Sequence, residues 1–252
     1  MEAKQDIHAS MQTKLAKIYG EERGQEAYEK LIQILADYET KPAQDRAISE
    51  RDVMLICYGD HLQDKQKPPL QVLHEFLKET IYPTVNSVHI LPFFPYSSDD
   101  GFSVIDYYAV DSNLGNWEHI DAMKQDFRLM FDAVFNHISA QSDWFDKYKQ
   151  GIAPYDHFFI EVDPNADLSK VVRPRALPLL TPIETVSGTK YVWTTFSDDQ
   201  IDLNYANPDL LLEMIRVLLF YVEHGAEFIR LDAIAFIWKK IGTDCIHLEE
   251  DF

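Results

Sequence analysis

The apolar positions change rhythm along the chain. Over residues 10–39, Leu15, Ile18 and Tyr19, then Leu31, Ile32, Ile34 and Leu35, recur at helical spacing among Lys, Glu and Gln. That is the pattern of a helix with one stripe turned to a core. Lys41-Pro42 marks its predicted end, because proline cannot continue a helix. Residues 1–50 therefore read as an N-terminal helical extension packed on the outside of the rest of the chain. From Val53 onward, short continuous apolar runs replace the stripe: Val53–Tyr58 (VMLICY), Val88–Phe94 (VHILPFF), Phe127–Val134 (FRLMFDAV) and Glu227–Ala233 (EFIRLDA). A run without polar alternation predicts a strand covered on both faces, as parallel strands between helices are. Helical patterns separate the runs, at Leu70–Thr80 after Pro68-Pro69, at Asn116–Gln125 and at Pro208–Glu223. This alternation predicts parallel βαβ units and an α/β fold.

Between the third strand and the last helix lies a long segment, 139–206, containing Pro154, Pro164, Pro174, Pro178 and Pro182. A connection of that length inside a compact domain carries function in most folds that have one. It is expected to be a small inserted subdomain over the C-terminal face of the sheet. Residues 51–138 and 207–252 then form the sheet-bearing domain around it. Polar residues gather where the strands end: Asp99 after the second, Asp132, Asn136 and His137 after the third, Arg230 and Asp232 at the fourth. In a (β/α)8 barrel, chemistry sits at the C-terminal ends of the strands.

Arg230 and Asp232 lie two apart on a strand and so point to the same face. A guanidinium there is expected to favour the ionised carboxylate and fix its orientation, which suits a glycosyl nucleophile. A plain buried salt bridge is the equal alternative from this pair alone. Asp132 and Asn136 read as residues that tie down the following loop, whereas His137 offers a donor for a sugar hydroxyl. In Tyr96-Ser97-Ser98-Asp99-Asp100-Gly101-Phe102, glycine permits a positive φ, the carboxylate suits a pair of hydroxyls, and the phenyl ring suits a sugar face. The segment Thr195–Asn204 closes the insertion and carries Phe196 and Gln200, which can reach over a pocket.

Charge narrows the partners. The formal net charge is −19, from 23 Lys+Arg against 42 Asp+Glu. A nucleic-acid binder needs a basic face, so none is expected, and a small neutral ligand such as a sugar suits the acidic surface. No apolar run is long enough to cross a membrane. The N-terminal MEAKQDIHAS lacks an apolar signal region, so the expected location is cytoplasmic. Cys57 and Cys245 are expected to be buried free thiols. No signal for an oligomeric state is visible.

The ordered motifs DAVFNH (132–137), QIDLN (200–204) and FIRLDA (228–233) resemble those of glycoside hydrolase family 13, the α-amylase family. The stretches SSDDGFSVIDYYAVD, RPRALPLLTP and VWTTFSDDQIDLNYANP are similar to its sucrose-phosphorylase subgroup, which includes enzymes acting on sucrose, sucrose 6′-phosphate and glucosylglycerate. The resemblance covers roughly residues 50–247 and implies the N-terminal half, about four βα units, of a (β/α)8 barrel with an inserted subdomain after strand three. It implies that Asp232 is the nucleophile forming a β-glucosyl-enzyme and that Arg230 orients it. It further implies that Asp99 and His137 hold glucose hydroxyls, that Phe102 and Phe236 wall the sugar, and that Phe196 and Gln200 sit over it. Inorganic phosphate would be the co-substrate that resolves the glucosyl-enzyme, with net retention from two displacements. Amylases of the family often hold calcium near the residue matching Asn136, but the phosphorylase-like subgroup implies no metal and no other cofactor.

A retaining enzyme needs a second carboxylate as acid/base. The resemblance places it after a fifth strand, beyond Phe252, and Glu249 and Glu250 are not promoted to that role. Four strands where a barrel needs eight leave open edges. The expectation is a truncated, inactive retaining α-glucoside phosphorylase. The alternatives are a hydrolase or transglucosylase of the same family and a non-catalytic sugar-binding protein.

Overall fold

A computed structural model of the chain describes residues 2–38 and 48–247. The N-terminal stripe folds as two helices rather than one, α1 (Glu2–Tyr19) and α2 (Glu21–Asp37). Gly20 stands between them with a φ of 84°, a conformation that costs glycine little and turns the chain back on itself. The two helices approach closely at Gly24, where a Cβ would lie 2.5 Å from the Ala16 Cα. The predicted stop at Lys41-Pro42 lies outside the described residues.

The βα units come in order: β1 (Met54–Cys57), α3 (Pro69–Thr80), β2 (Ser87–Ile90), α4 (Trp117–Met123) and β3 (Arg128–Val134). The insertion then supplies β4 (His137–Ser139), α5 (Asp143–Lys149), β5 (Leu180–Thr185), β6 (Gly188–Trp193) and β7 (Gln200–Asp202). The chain returns through α6 (Pro208–Glu223) to β8 (Ala226–Asp232). Local chemistry sets the helix starts. Pro69 and Pro208 occupy first-turn positions, where a missing N–H costs nothing. The Asn116 and Asn207 side chains cap α4 and α6 by accepting from the backbone N–H of Glu118 and Asp209, at 3.1 and 3.0 Å.

β1, β2, β3 and β8 form one parallel sheet in that order. Leu70, Leu73 and Leu77 of α3, Ile120 and Met123 of α4, and Met214, Val217 and Tyr221 of α6 pack with Val88, Ile90, Leu129 and Phe131 of the strands in one core. Each such side chain contributes about 1.5–3 kcal/mol on burial. The helical extension covers the outer side of α6, where Leu15, Ala27, Leu31 and Ile34 cluster with Leu212. The Tyr19 hydroxyl donates to the Tyr205 carbonyl at 2.8 Å. Two antiparallel pairs lie within the insertion, β5–β6 as a hairpin and β4–β7 joining its two ends. β1 and β8 are the outer strands of the parallel sheet, with Ile56 and Leu231 exposed on them.

Candidate active site

The register between β3 and β8 sets Asp132 beside Arg230 and Val134 beside Asp232. Arg230 uses both ends of its fork: Nη1 donates to Asp132 Oδ1 at 2.5 Å, and Nη2 meets Asp232 Oδ1 at 2.9 Å. Asp132 is fully buried, and its other oxygen accepts from His89 Nε2 at 2.7 Å. The chain His89–Asp132–Arg230–Asp232 thus crosses three strand ends. Asp132 anchors the arginine rather than the following loop. His89 was not among the expected site residues; its signal is a single polar residue inside the apolar run VHILPFF.

The electrostatics correct one expectation. Arg230 was expected to hold Asp232 ionised, yet the carboxyl of Asp232 is raised above the ordinary aspartate value. Burial is the main cause, Arg230 and His137 pull the other way, and Asp132 adds to the rise. The physical reason is sharing: the one guanidinium serves two carboxylates and is 44% exposed, while Asp232 is 19% exposed, so it offsets only part of the desolvation.

Asp99, Asp100 and Gly101 have φ values of 56°, 50° and 101° in succession, a left-handed turn that aspartate tolerates and glycine favours. At Gly101 a Cβ would lie 2.8 Å from the Pro92 carbonyl oxygen. Asp199 of the insertion holds this loop, accepting from Ser97, Ser98 and Ser103 hydroxyls at 2.5, 2.5 and 2.8 Å. Gln200, buried on β7, donates to Asp99 Oδ2 at 3.0 Å and to the Phe102 carbonyl at 3.3 Å. The Asp99 carboxylate and the Phe102 carbonyl only accept, so the atom facing them is the nitrogen, and Oε1 is left to accept from Ser197 at 2.9 Å.

His137 pairs with Asp202 across β4–β7. Its Nε2 lies 2.8 Å from the Phe102 carbonyl. A carbonyl only accepts, so Nε2 carries the proton. Burial pushes the imidazole below its usual 6.5, against Asp202, Asp232 and Asp99. The N–H expected to be free for a sugar hydroxyl therefore already rests on Phe102, and an incoming oxygen must share it. The Phe196 ring sits 5.1 Å from His137 and 5.5 Å, edge-on, from Phe236. Arg230 lies over the Phe102 ring at 5.6 Å. The expected site residues are thus brought together as two adjoining sets: Asp99, Gln200, His137, Phe196 and Phe236 in one, and Phe102, Arg230 and Asp232 in the other.

Arg175 was also missed. It is an exposed cation from the insertion, 3.7 Å from Asp99, carried by the RPR of the proline-rich loop. Among the described residues, no three His, Cys, Asp or Glu side chains converge as a metal-ligand set. Asn136 instead faces the ammonium of Lys239 at 3.1 Å. Cys57 and Cys245 are buried and free, and burial pushes the Cys57 thiol up to about 11.

Residues 76–247 match the α-amylase catalytic domain. The chain belongs to the α-amylase family. Over 246 residues it is 53% identical to a glucosylglycerate phosphorylase of Allomeiothermus silvanus, covering 97% of this chain and 44% of that protein. A glucosylglycerate phosphorylase of Escherichia coli is 52% identical over 202 residues, or 80% of this chain and 36% of the relative. Among solved structures, sucrose 6F-phosphate phosphorylase from Thermoanaerobacter thermosaccharolyticum superposes with a TM-score of 0.74 at 27% identity, over 85% of this chain and 46% of that one. This α-amylase-family chain therefore spans under half the length of these relatives, and its four parallel βα units correspond to part of their (β/α)8 barrel.

Proposed function

We propose that this chain carries the donor-sugar part of an α-glucoside phosphorylase site. It would pass a glucosyl group from a glucosylglycerate-like or sucrose-like donor to inorganic phosphate, with retention. The observation that carries the reading is the carboxylate of Asp232 at a strand end, held at 2.9 Å by a guanidinium that is itself anchored on buried Asp132. In the first displacement an Asp232 oxygen bonds the anomeric carbon as the bond to the leaving oxygen breaks, and a proton donor neutralises that oxygen. In the second, phosphate attacks the same carbon and Asp232 leaves. Partial burial raises the pKa of Asp232, and Arg230 limits how far that goes. Asp99 is oriented for hydroxyls by Gln200. Phe102, Phe196 and Phe236 supply apolar walls. Arg175, beside Asp99, places positive charge at the mouth, where an anion must arrive. The relatives at about half identity are glucosylglycerate phosphorylases, which favours that donor class. The reading needs no metal and no organic cofactor. Among the described residues no helix is long and apolar enough to cross a membrane, and a cytoplasmic location goes with intracellular phosphate as co-substrate.

The test is a chimera that joins this chain to the remaining segment of the Allomeiothermus silvanus relative. Incubated with glucosylglycerate or sucrose, it is expected to release α-glucose 1-phosphate only when phosphate is present, and Asp232→Asn is expected to remove that turnover. Free glucose produced equally well without phosphate would turn the assignment to a hydrolase. Saturable sugar binding without turnover would turn it to a non-catalytic binder.

A further inference from the structure

Lys239 lies just past β8, and its side chain is buried. Its ammonium meets Asp202 Oδ2 at 2.7 Å, Asn136 Oδ1 at 3.1 Å and the Phe236 carbonyl. Asp202 and Asn136 make no sugar contact in the proposed reading, and Phe236 is met through its backbone carbonyl rather than its ring, yet the contacts lead on to His137. We propose that Lys239 is a positioning residue that, through Asn136, reinforces the His137 tautomer carrying its proton on Nε2.

The connection runs through one amide. An ammonium only donates, so the Asn136 atom facing Lys239 must be the oxygen. A carboxylate only accepts, so the Asn136 atom facing Asp202 Oδ2, at 3.1 Å, must be the nitrogen. The two ends of the amide are thus set by two charges of opposite sign. The second hydrogen of that nitrogen points to His137 Nδ1 at 3.2 Å. Nδ1 must then accept, so in the neutral ring the proton stays on Nε2, where the Phe102 carbonyl takes it at 2.8 Å.

The opposite tautomer also has partners in place. If the Asn136 amide turned over, its oxygen would accept from a protonated Nδ1. Nε2 would then accept from Gln200 Nε2, which already stands 3.1 Å away. That form would, however, set a bare Nε2 against the Phe102 carbonyl at 2.8 Å, so the carbonyl on one side of the ring and the Asn136 amide, oriented by Lys239 and Asp202, on the other act together to keep the proton on Nε2. Asp202 itself is held in place by the Thr195 backbone N–H at 2.8 Å and the Thr195 hydroxyl at 2.6 Å. The lysine thus ties the segment after Asp232 to the insertion and helps set what His137 presents. Resting on the proposed sugar site, the consequence is that His137 offers the donor sugar an N–H rather than a lone pair.

The experiment labels the histidines of the 252-residue chain with 15N and reads tautomers from multiple-bond 1H–15N correlations. His137 is assigned by the signal lost in His137→Gln. The wild type is expected to show Nε2 protonated and Nδ1 bare; a protonated Nδ1 there overturns the proposal outright. Lys239→Met alone strands the buried Asp202 carboxylate and endangers the fold. The decisive variant is therefore Lys239→Met with Asp202→Asn, which removes both charges together. Its His137 is expected to gain a measurable share of the Nδ1-protonated form, held below completion by the Phe102 carbonyl, with native circular dichroism. A tautomer ratio unchanged from wild type in that folded double variant would sink the idea. In the chimera, the same double variant is expected to raise KM for the donor, by up to roughly tenfold for the full loss of one hydrogen bond. A tautomer shift that leaves KM unmoved would remove His137 from the sugar site while leaving the role of Lys239 intact.

Discussion

Asp132→Ala tests whether the buried carboxylate under Arg230 anchors the site. Asp132 has no exposed surface and accepts from His89 at 2.7 Å and Arg230 at 2.5 Å. Three costs add. His89, itself buried, loses its carboxylate partner, and a stranded buried donor costs about 1–3 kcal/mol. The removed atoms leave a small void worth about 1 kcal/mol. Arg230 is 44% exposed, so its guanidinium regains water and that pair contributes only about 0–1 kcal/mol. The total is about 3 kcal/mol, which for a chain of this size lowers the melting temperature by roughly 6–12 °C. Asp132→Asn keeps the volume and one acceptor for Arg230. It turns an NH2 toward His89, whose ring can accept by carrying its proton on Nδ1, so about 1 kcal/mol is expected. Urea unfolding followed by circular dichroism, with linear extrapolation, measures both variants. The reasoning is refuted if Asp132→Ala stays within about 1 kcal/mol of wild type, or if Asn proves as costly as Ala.

Three further outcomes rest on single contacts. The folded-state pKa of His137 is depressed below 6.5, so at intermediate pH the unfolded chain binds more protons than the folded one. Stability should therefore fall as pH drops from about 6.5 through the depressed value, and His137→Gln should flatten that slope in melting curves taken across the range. Gly24→Ala gains about 1 kcal/mol of helix propensity, but its Cβ would sit 2.5 Å from backbone atoms of Ala16. Net destabilisation is expected, visible as a lower melting temperature, and a gain would show that α1 can shift away freely. Gln200→Leu removes the donor that holds Asp99. Faster amide exchange over residues 97–103 with unchanged exchange in β1 is the expected result, and equal protection in both would mean that the Asp199–serine contacts hold the loop alone.

The elements that reading the sequence recovers are those whose cause is local. Pro208–Glu223 comes out with the same bounds because Asn207 and Pro208 mark its start in the sequence itself. β2 and β3 come out because burial on both faces leaves an unbroken apolar run, and β1 and β8 carry the same kind of run although Ile56 and Leu231 are exposed on them. The extension did not: its stripe continues across Gly20, and the close approach at Gly24 depends on the partner helix. The same division holds in the site. Arg230 and Asp232 share a face by spacing alone, so their pairing was legible. That burial outweighs Arg230 and raises Asp232, and that Asp132 takes the other half of the guanidinium, depends on the fold and on residues 98 apart in the chain.

Register makes this dependence specific. β3 and β8 align through the pairs Phe131↔Ile229 and Ala133↔Leu231, which place Asp132 against Arg230. A slip of one residue would turn every β8 side chain to the opposite face and set Arg230 beside an apolar residue of β3. The motif would be intact and the anchor gone. What converts FIRLDA into a candidate nucleophile is therefore the apolar packing that holds β8 in line, together with the Lys239–Asp202 tie that holds the segment beyond it. Substitutions at Phe131 or Ile229, which touch no sugar in the proposed reading, should for this reason weaken the Arg230–Asp132 contact as well as the core.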